Sequence, residues 1–341
     1  MMKHVLLIAI VIVLNLCSAQ EIHFSQYMNS NQLINPALTG MFRGDIMAQV
    51  QYKDQWNSWN NGYKTYAVGF EAPIKKDLYK KGSLALGINV CSDKAGSADF
   101  NTNLFNMSLS NIVRLNSYNN LSVGFNFGYA KRSIDLNKLQ WGSQYDPDFG
   151  YNSSLPTYEN DILDESGNID LSAGVAWNYY NQESDLEIKL GASLFHINKP
   201  NISLASDDQI EQNHKSVIHA ESKLPFNNDM VEFSAYYIMQ GPLTEFVGGA
   251  MYKKRISTTN SNEKINGELI LGSYYRFNDA FIPLVGFGVE NYQLFLSYDI
   301  NISTLSTASN YNGGLELTFR FTTPNPFIRK SYKLRMGDVR I

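Results

Sequence analysis

An all-β fold, a transmembrane antiparallel β-barrel of about 14 strands, is what the sequence predicts. Three observations carry it. Apolar residues recur at every second position in segment after segment, those segments run close to ten residues, and no stretch beyond the N-terminus is apolar enough for a spanning helix. The composition agrees: 44% of the 341 residues are hydrophobic and only 18% are charged, alongside 21 Tyr, 19 Phe and 24 Gly. That mixture excludes a disordered chain, a coiled coil and a collagen-like fibre. Lys and Arg number 28 against 32 Asp and Glu, a net charge of −4, so no basic footprint points to nucleic acid.

Residues 1–19 read as a signal peptide. Lys3 supplies a positive start, Val5 to Leu16 an apolar stretch, and Cys17-Ser18-Ala19 a small-residue cleavage site. Cleavage after Ala19 makes Gln20 the mature start, and Sec-dependent export to the outer membrane is expected. A lipid anchor at Cys17 is disfavoured, because a small residue should precede the cysteine and Leu16 stands there. Cleavage leaves Cys91 alone, so an internal disulfide is excluded.

From Asp45 onward the alternation defines fourteen strands: 45–53, 63–72, 83–91, 104–115, 121–130, 169–179, 186–196, 216–224, 230–239, 244–253, 266–276, 280–290, 292–300 and 313–321. The clearest is Leu121, Val123, Phe125, Phe127, Tyr129, interleaved with Ser122, Gly124, Asn126 and Gly128. The segments 216–224, 244–253 and 280–290 are weaker, and Pro283 inside the last is an objection. Strands of a soluble sandwich average about five or six residues, whereas a membrane barrel needs roughly 9–11, apolar outward and polar inward. Lipid tolerates no open sheet edge, so these strands must close, giving a barrel over 44–321. With both ends of the barrel in the periplasm, odd-numbered connections are external. The two longest connections, 131–168 and 197–215, are the fifth and seventh and fit. The 254–265 connection is longer than a periplasmic turn should be.

Aromatic residues gather near strand ends: Tyr52, Trp56, Trp59, Tyr63, Tyr129, Trp141, Trp177, Tyr179, Tyr274 and Tyr275. Both an interfacial girdle and ordinary strand composition account for them. The deduced inner face carries Glu187, Lys189, Glu232, Glu268, Asp299, Glu316 and Arg320, as a polar lumen requires.

Little catalytic chemistry is legible. His214 and His219, five apart, fall on opposite strand faces and do not share a metal, and His196 reads as a rim residue. No serine has a nucleophile context, which disfavours a lipid hydrolase. There is no phosphate loop, CxxC or HExxH. Cys91 reads as an inert buried or lumen-facing thiol. Asp146, Asp148, Glu159, Asp161, Asp164, Glu165 and Asp170 make an acidic loop that either binds calcium or is simply solvated; their spacing matches no EF-hand. We therefore expect no enzyme, cofactor or metal. Two appendages remain. Residues 20–43 form an ordered leader at the barrel mouth, with Asn35-Pro36 favouring extended geometry and Gly40 a sharp turn; it is either a plug or a partner contact. Residues 322–341 form a periplasmic basic tail, in which Arg329, Lys330, Lys333 and Arg335 dock an acidic partner or the segment is dispensable.

The mature opening reads Gln20-Glu21-Ile22-His23-Phe24-Ser25-Gln26-Tyr27, then Asn35-Pro36-Ala37-Leu38-Thr39-Gly40, then Tyr52 and Gln55-Trp56. It resembles the opening of the PorP/SprF family of type IX secretion membrane proteins from Bacteroidetes. Ser297-Tyr298-Asp299-Ile300-Asn301-Ile302-Ser303 and Gly313-Gly314-Leu315-Glu316 are similar to that family's end. Lys53 departs slightly, since Arg is the commoner basic residue there. The resemblance implies an outer-membrane barrel that supports secretion or surface attachment of a large adhesin or other type IX cargo, gliding motility being one use. It also implies contact with membrane lipid and with periplasmic or outer-membrane components of the secretion machinery. On this reading Phe24, Ser25, Gln26, Tyr27, Asn35, Pro36, Ala37, Gly40 and Trp56 are the partner-binding candidates. The alternative is a channel or transporter for small or hydrophobic solutes.

Overall fold

The computed structural model describes residues 22–55, 62–78, 82–159, 161–206, 208–260, 263–303 and 312–323. Residues 1–21, which include the expected signal peptide, Trp56, Trp59 and residues 324–341 lie outside them.

Fourteen strands close into one antiparallel barrel. They are β1 Ile46–Gln55, β2 Tyr63–Leu78, β3 Gly82–Ala95, β4 Phe100–Arg114, β5 Asn119–Ser133, β8 Glu165–Asn181, β9 Leu186–Phe195, β10 Lys215–Phe226, β11 Asp229–Gln240, β12 Leu243–Asn260, β13 Glu263–Arg276, β14 Ala280–Val289, β15 Tyr292–Asn301 and β16 Asn312–Thr323. Two short strands, β6 Tyr145–Asp146 and β7 Gly150–Tyr151, make a separate hairpin in the connection between β5 and β8. Each barrel strand pairs with its neighbour in the chain, and the seam closes where Ile46 of β1 meets Thr323 of β16.

The wall is inverted relative to a soluble protein. On β1 the inward Gln49, Gln51 and Lys53 are buried while the outward Val50 is half exposed. On β5 the inward Ser122 and Asn126 are buried, and outward Phe125 is 62% exposed. A continuous exterior of Phe, Leu, Val and Tyr is stable only when lipid covers it. All fourteen strands sit where the alternation predicts them.

Two expectations change. Connection 254–265 is not a long loop: β12 and β13 continue as a paired ladder to Asn260 and Glu263. The loops therefore separate cleanly. Connections 134–164 and 196–214 lie at one mouth, the long-loop mouth, and tight turns such as 227–228 and 290–291 lie at the other with the strand ends Ile46 and Thr323. Tyr274 leaves the girdle: it points inward at 1% exposure, while its neighbour Tyr275 points outward at 40%. Adjacent strand residues cannot share a face. Pro283 is accommodated because β14 skips its pairing with β15 there, with Phe281↔Ile300 and Leu284↔Ser297 in one register on either side.

The outward face yields a direct test. Phe125→Arg should destabilise the barrel in lipid by about 2–4 kcal/mol, the cost of arginine near the bilayer midplane. Denaturant unfolding in phospholipid vesicles measures it. An unchanged midpoint would mean that no lipid covers this face.

Candidate functional site

The site is the lumen and the leader inside it. Residues 22–45 do not rest on the rim but run through the barrel. Their local shape follows from turn chemistry: a 3₁₀ turn Tyr27–Asn29, one helical turn Asn31–Ile34 and a 3₁₀ turn Pro36–Leu38. Asn35 between the last two is extended, as a residue before proline prefers, and its side-chain oxygen accepts the Ala37 N–H at 2.9 Å. Gly40 then turns the chain at φ +73°, where a side chain would also collide with Ala85.

Toward the long-loop mouth the leader meets buried charges. Glu316 of β16 accepts the backbone N–H of Ser25 at 2.7 Å and of Gln26 at 2.9 Å, one on each carboxylate oxygen. Asp299 of β15 accepts the Ser25 hydroxyl at 2.7 Å and pairs with Arg276 of β13. Lys53 of β1, only 2% exposed, donates to the His23 carbonyl and the Ser25 hydroxyl at 3.2 Å each, and lies 3.8 Å from Asp299. Two cations and two carboxylates thus surround Ser25. Buried charges are tolerable only when paired in this way. Deeper in, Gln26 donates to the Ser297 hydroxyl at 2.9 Å, and Tyr27 donates to the Ser234 hydroxyl at 2.9 Å while its ring packs edge-on against Tyr236 and Tyr274. Arg320 binds the Met28 carbonyl at 3.1 Å.

In mid-lumen the Asn35-Pro36-Ala37 turn sits on a floor without side chains. A Cβ on Gly124 would strike the Pro36–Ala37 backbone, and one on Gly174 or Gly191 would strike the Asn35 amide. These glycines belong to β5, β8 and β9, and Ala176 packs beside Ala37 and Leu38. The Asn35 amide donates to the carbonyls of Val175 at 2.9 Å and Ala192 at 3.3 Å and stands 3.0 Å from His219 Nε2. Further down, Ser110 donates to the Thr39 carbonyl at 2.6 Å and Glu71 accepts the Gly40 N–H at 2.9 Å.

At the turn mouth Arg43 closes the arrangement. Its guanidinium donates to Asp185 at 2.6 Å and lies 4.2 Å from the Tyr180 ring centroid; Arg255 reaches the same carboxylate at 3.2 Å. Burial pushes the Asp185 carboxyl up, but the two guanidinium groups outweigh it and hold the carboxyl below its ordinary value.

Residues 16–321 match the family described as type IX secretion system membrane protein PorP/SprF. The chain belongs to that family. No curated protein matches it. Among solved structures, similar folds are the TodX monoaromatic hydrocarbon channel deltaS2 mutant, the CymD monoaromatic hydrocarbon channel and the KdgM porin. TodX shows TM-score 0.47 and 9% identity over 87% of this chain and 94% of its own. CymD shows 0.44 and 7% over 87% and 93%. KdgM shows 0.39 and 8% over 81% and 98%.

The PorP/SprF motif residues are gathered in one place. Phe24, Ser25, Gln26, Tyr27, Asn35, Pro36, Ala37 and Gly40 are all buried inside the lumen. Trp56, Arg329, Lys330, Lys333 and Arg335 lie outside the described residues. Cys91 is fully buried against Phe24 and Ala67. His219 faces the lumen, and His196 at the rim faces Asp170 at 3.0 Å. The acidic loop does not converge: Asp146 accepts the N–H groups of Asp148 and Phe149, and Glu165 pairs with Lys131. Among the described residues no cluster of three metal-ligating side chains occurs. The sequence reading missed Glu71, Arg276 and the glycine floor. The floor's signal was present as inward glycines on adjoining strands, Gly124 paired with Gly174 and Gly191 paired with Ala176 two residues further along β8.

Two expectations follow for this PorP/SprF barrel. Gly124→Val should unseat the leader at an overpacking cost of about 1–3 kcal/mol while the wall survives. Protease should then cut within 22–45 although the protein keeps its heat-modifiable mobility on gels. The Asp185 carboxyl is depressed in the folded protein, so its clasp stabilises above the unfolded value of about 3.9 and is lost as pH falls below that. Both partners are about a third exposed (36% and 31%), so the contribution is at most about 1 kcal/mol. Hydrogen exchange at 41–45 should rise on acidification, and Asp185→Asn should raise it already at neutral pH.

Proposed function

We propose that this barrel is a non-enzymatic outer-membrane component that supports type IX secretion, or surface attachment, of a partner protein, a large secreted adhesin or other cargo. Gliding motility is one use of such an adhesin. Family membership gives the class. The observation that carries the choice of an anchor over an open pore is the occupied lumen: residues 24–27 and 35–40 lie buried inside it, and on this reading cargo passes beside the barrel rather than through it. In this reading the long-loop mouth faces outward after Sec-dependent export, and the exterior wall contacts lipid.

Partner contact then falls to surfaces outside the lumen. At the long-loop mouth Phe149 is 89% exposed, Tyr158 77% and Tyr145 62%. Aromatic side chains standing in solvent are the usual anchors of a protein interface. On the opposite side the basic tail, with Arg329, Lys330, Lys333 and Arg335, would dock periplasmic machinery in a salt-dependent way.

A channel or transporter for hydrophobic solutes is the second reading. One observation favours it. A cleft of about 60 Å³ at the long-loop mouth is lined by apolar Ile22, Phe24, Leu33 and Ile238 together with charged Lys215 and Glu245. It ends against the leader.

Planar-bilayer recording and cargo display separate the two. The intact protein should be electrically silent, and deletion of 22–42 should open it. Phe149→Ser with Tyr158→Ser, and truncation after Thr323, should each lower surface display of cargo while the barrel still assembles. A conducting intact protein with normal cargo display in these variants would establish the channel instead.

A further inference from the structure

The course of the leader fixes the mouth at which residues 22–25 lie. His23 and Ser25 contact Lys53, Arg276 and Asp299, all at strand ends of the long-loop mouth. Ile22 lines the cleft there with Leu243 and Thr244, the first residues of β12. Twenty residues later Arg43 contacts Asp185 in a turn at the opposite mouth, and the Asp45 N–H donates to the Thr323 carbonyl at 3.0 Å. The leader therefore crosses the whole barrel before β1 begins.

We infer that the leader is a fifteenth passage, so that Ile22, and with it the amino terminus expected at Gln20, is presented at the long-loop mouth, on the opposite side of the membrane from the end of β16. Fourteen strands alone would return both ends to one side. An odd passage separates them. The amino terminus thus becomes part of the surface that carries the long loops and the cleft. This inference does not depend on the identity of the cargo.

The test uses full-length protein with Cys91→Ala and single cysteines. Ser153→Cys in the fifth connection and Glu183→Cys in a tight turn mark the two mouths. A short epitope carrying one cysteine, inserted after Glu21, reports the amino terminus. With a membrane-impermeant maleimide on intact cells, the inserted cysteine should label like Ser153→Cys. Labelling like Glu183→Cys, only after the outer membrane is permeabilised, would overturn the inference. A second measurement covers the case in which the insertion disturbs the leader. Ile22→Cys with Thr244→Cys, which line the same cleft, should be joined by a reducible bis-maleimide in the assembled barrel, detected as a mobility shift reversed by reductant. Absence of that cross-link in protein that retains heat-modifiable mobility would also overturn it.

Discussion

The arrangement depends on one constraint: polar groups turned into a closed barrel must find partners there. The wall puts Glu, Asp, Lys, Arg, Gln and Asn inward because lipid excludes them outward. In a water-filled pore they would be solvated. Here the leader occupies the lumen, and the charged groups it meets are matched by its atoms or by the facing wall. Glu316 is matched by two backbone N–H groups, Asp299 by a hydroxyl and a guanidinium, and Lys53 by a carbonyl and a hydroxyl. The leader sequence is accordingly rich in Ser, Gln and Asn where it meets charge, and small where it meets glycine.

The wall was readable because its signal has a period. Each lipid-facing residue must be apolar and its neighbours need not be, so fourteen strands announce themselves. Legibility fails where lipid ends. Residues 254–260 and 263–265 remain paired although Lys, Arg, Ser, Thr, Asn and Glu dominate them, so their alternation is too weak to reveal the ladder. The aromatic pair Tyr274-Tyr275 shows the other limit: composition places rings near a mouth, and only register decides which one meets lipid.

The leader was half legible. Asn35-Pro36 and Gly40 describe their own turns correctly, because turn chemistry is local. That those turns lie in the lumen is a long-range fact. It rests on pairs such as Ser25 with Glu316, and Asn35 with Val175 and Ala192, far apart in the chain. A buried motif and a partner-reading motif use the same residues, and the motif alone does not separate them. The inward glycines of β5, β8 and β9 carried the missing information: residues with no side chain, on the polar face of adjoining strands, mark a place where another backbone approaches.

The leader also touches strands that are not neighbours in the sheet. Ser25 and Gln26 reach β15 and β16, Tyr27 reaches β11, Asn35 reaches β8 and β9, and Thr39 reaches β4. An empty barrel of this size resists flattening only through the bending stiffness of its sheet. Struts spanning the interior convert lateral pressure from the bilayer into compression of packed backbone, which yields little. The barrel is thereby cross-braced from within, and its round section rests on packed backbone as well as on its sheet.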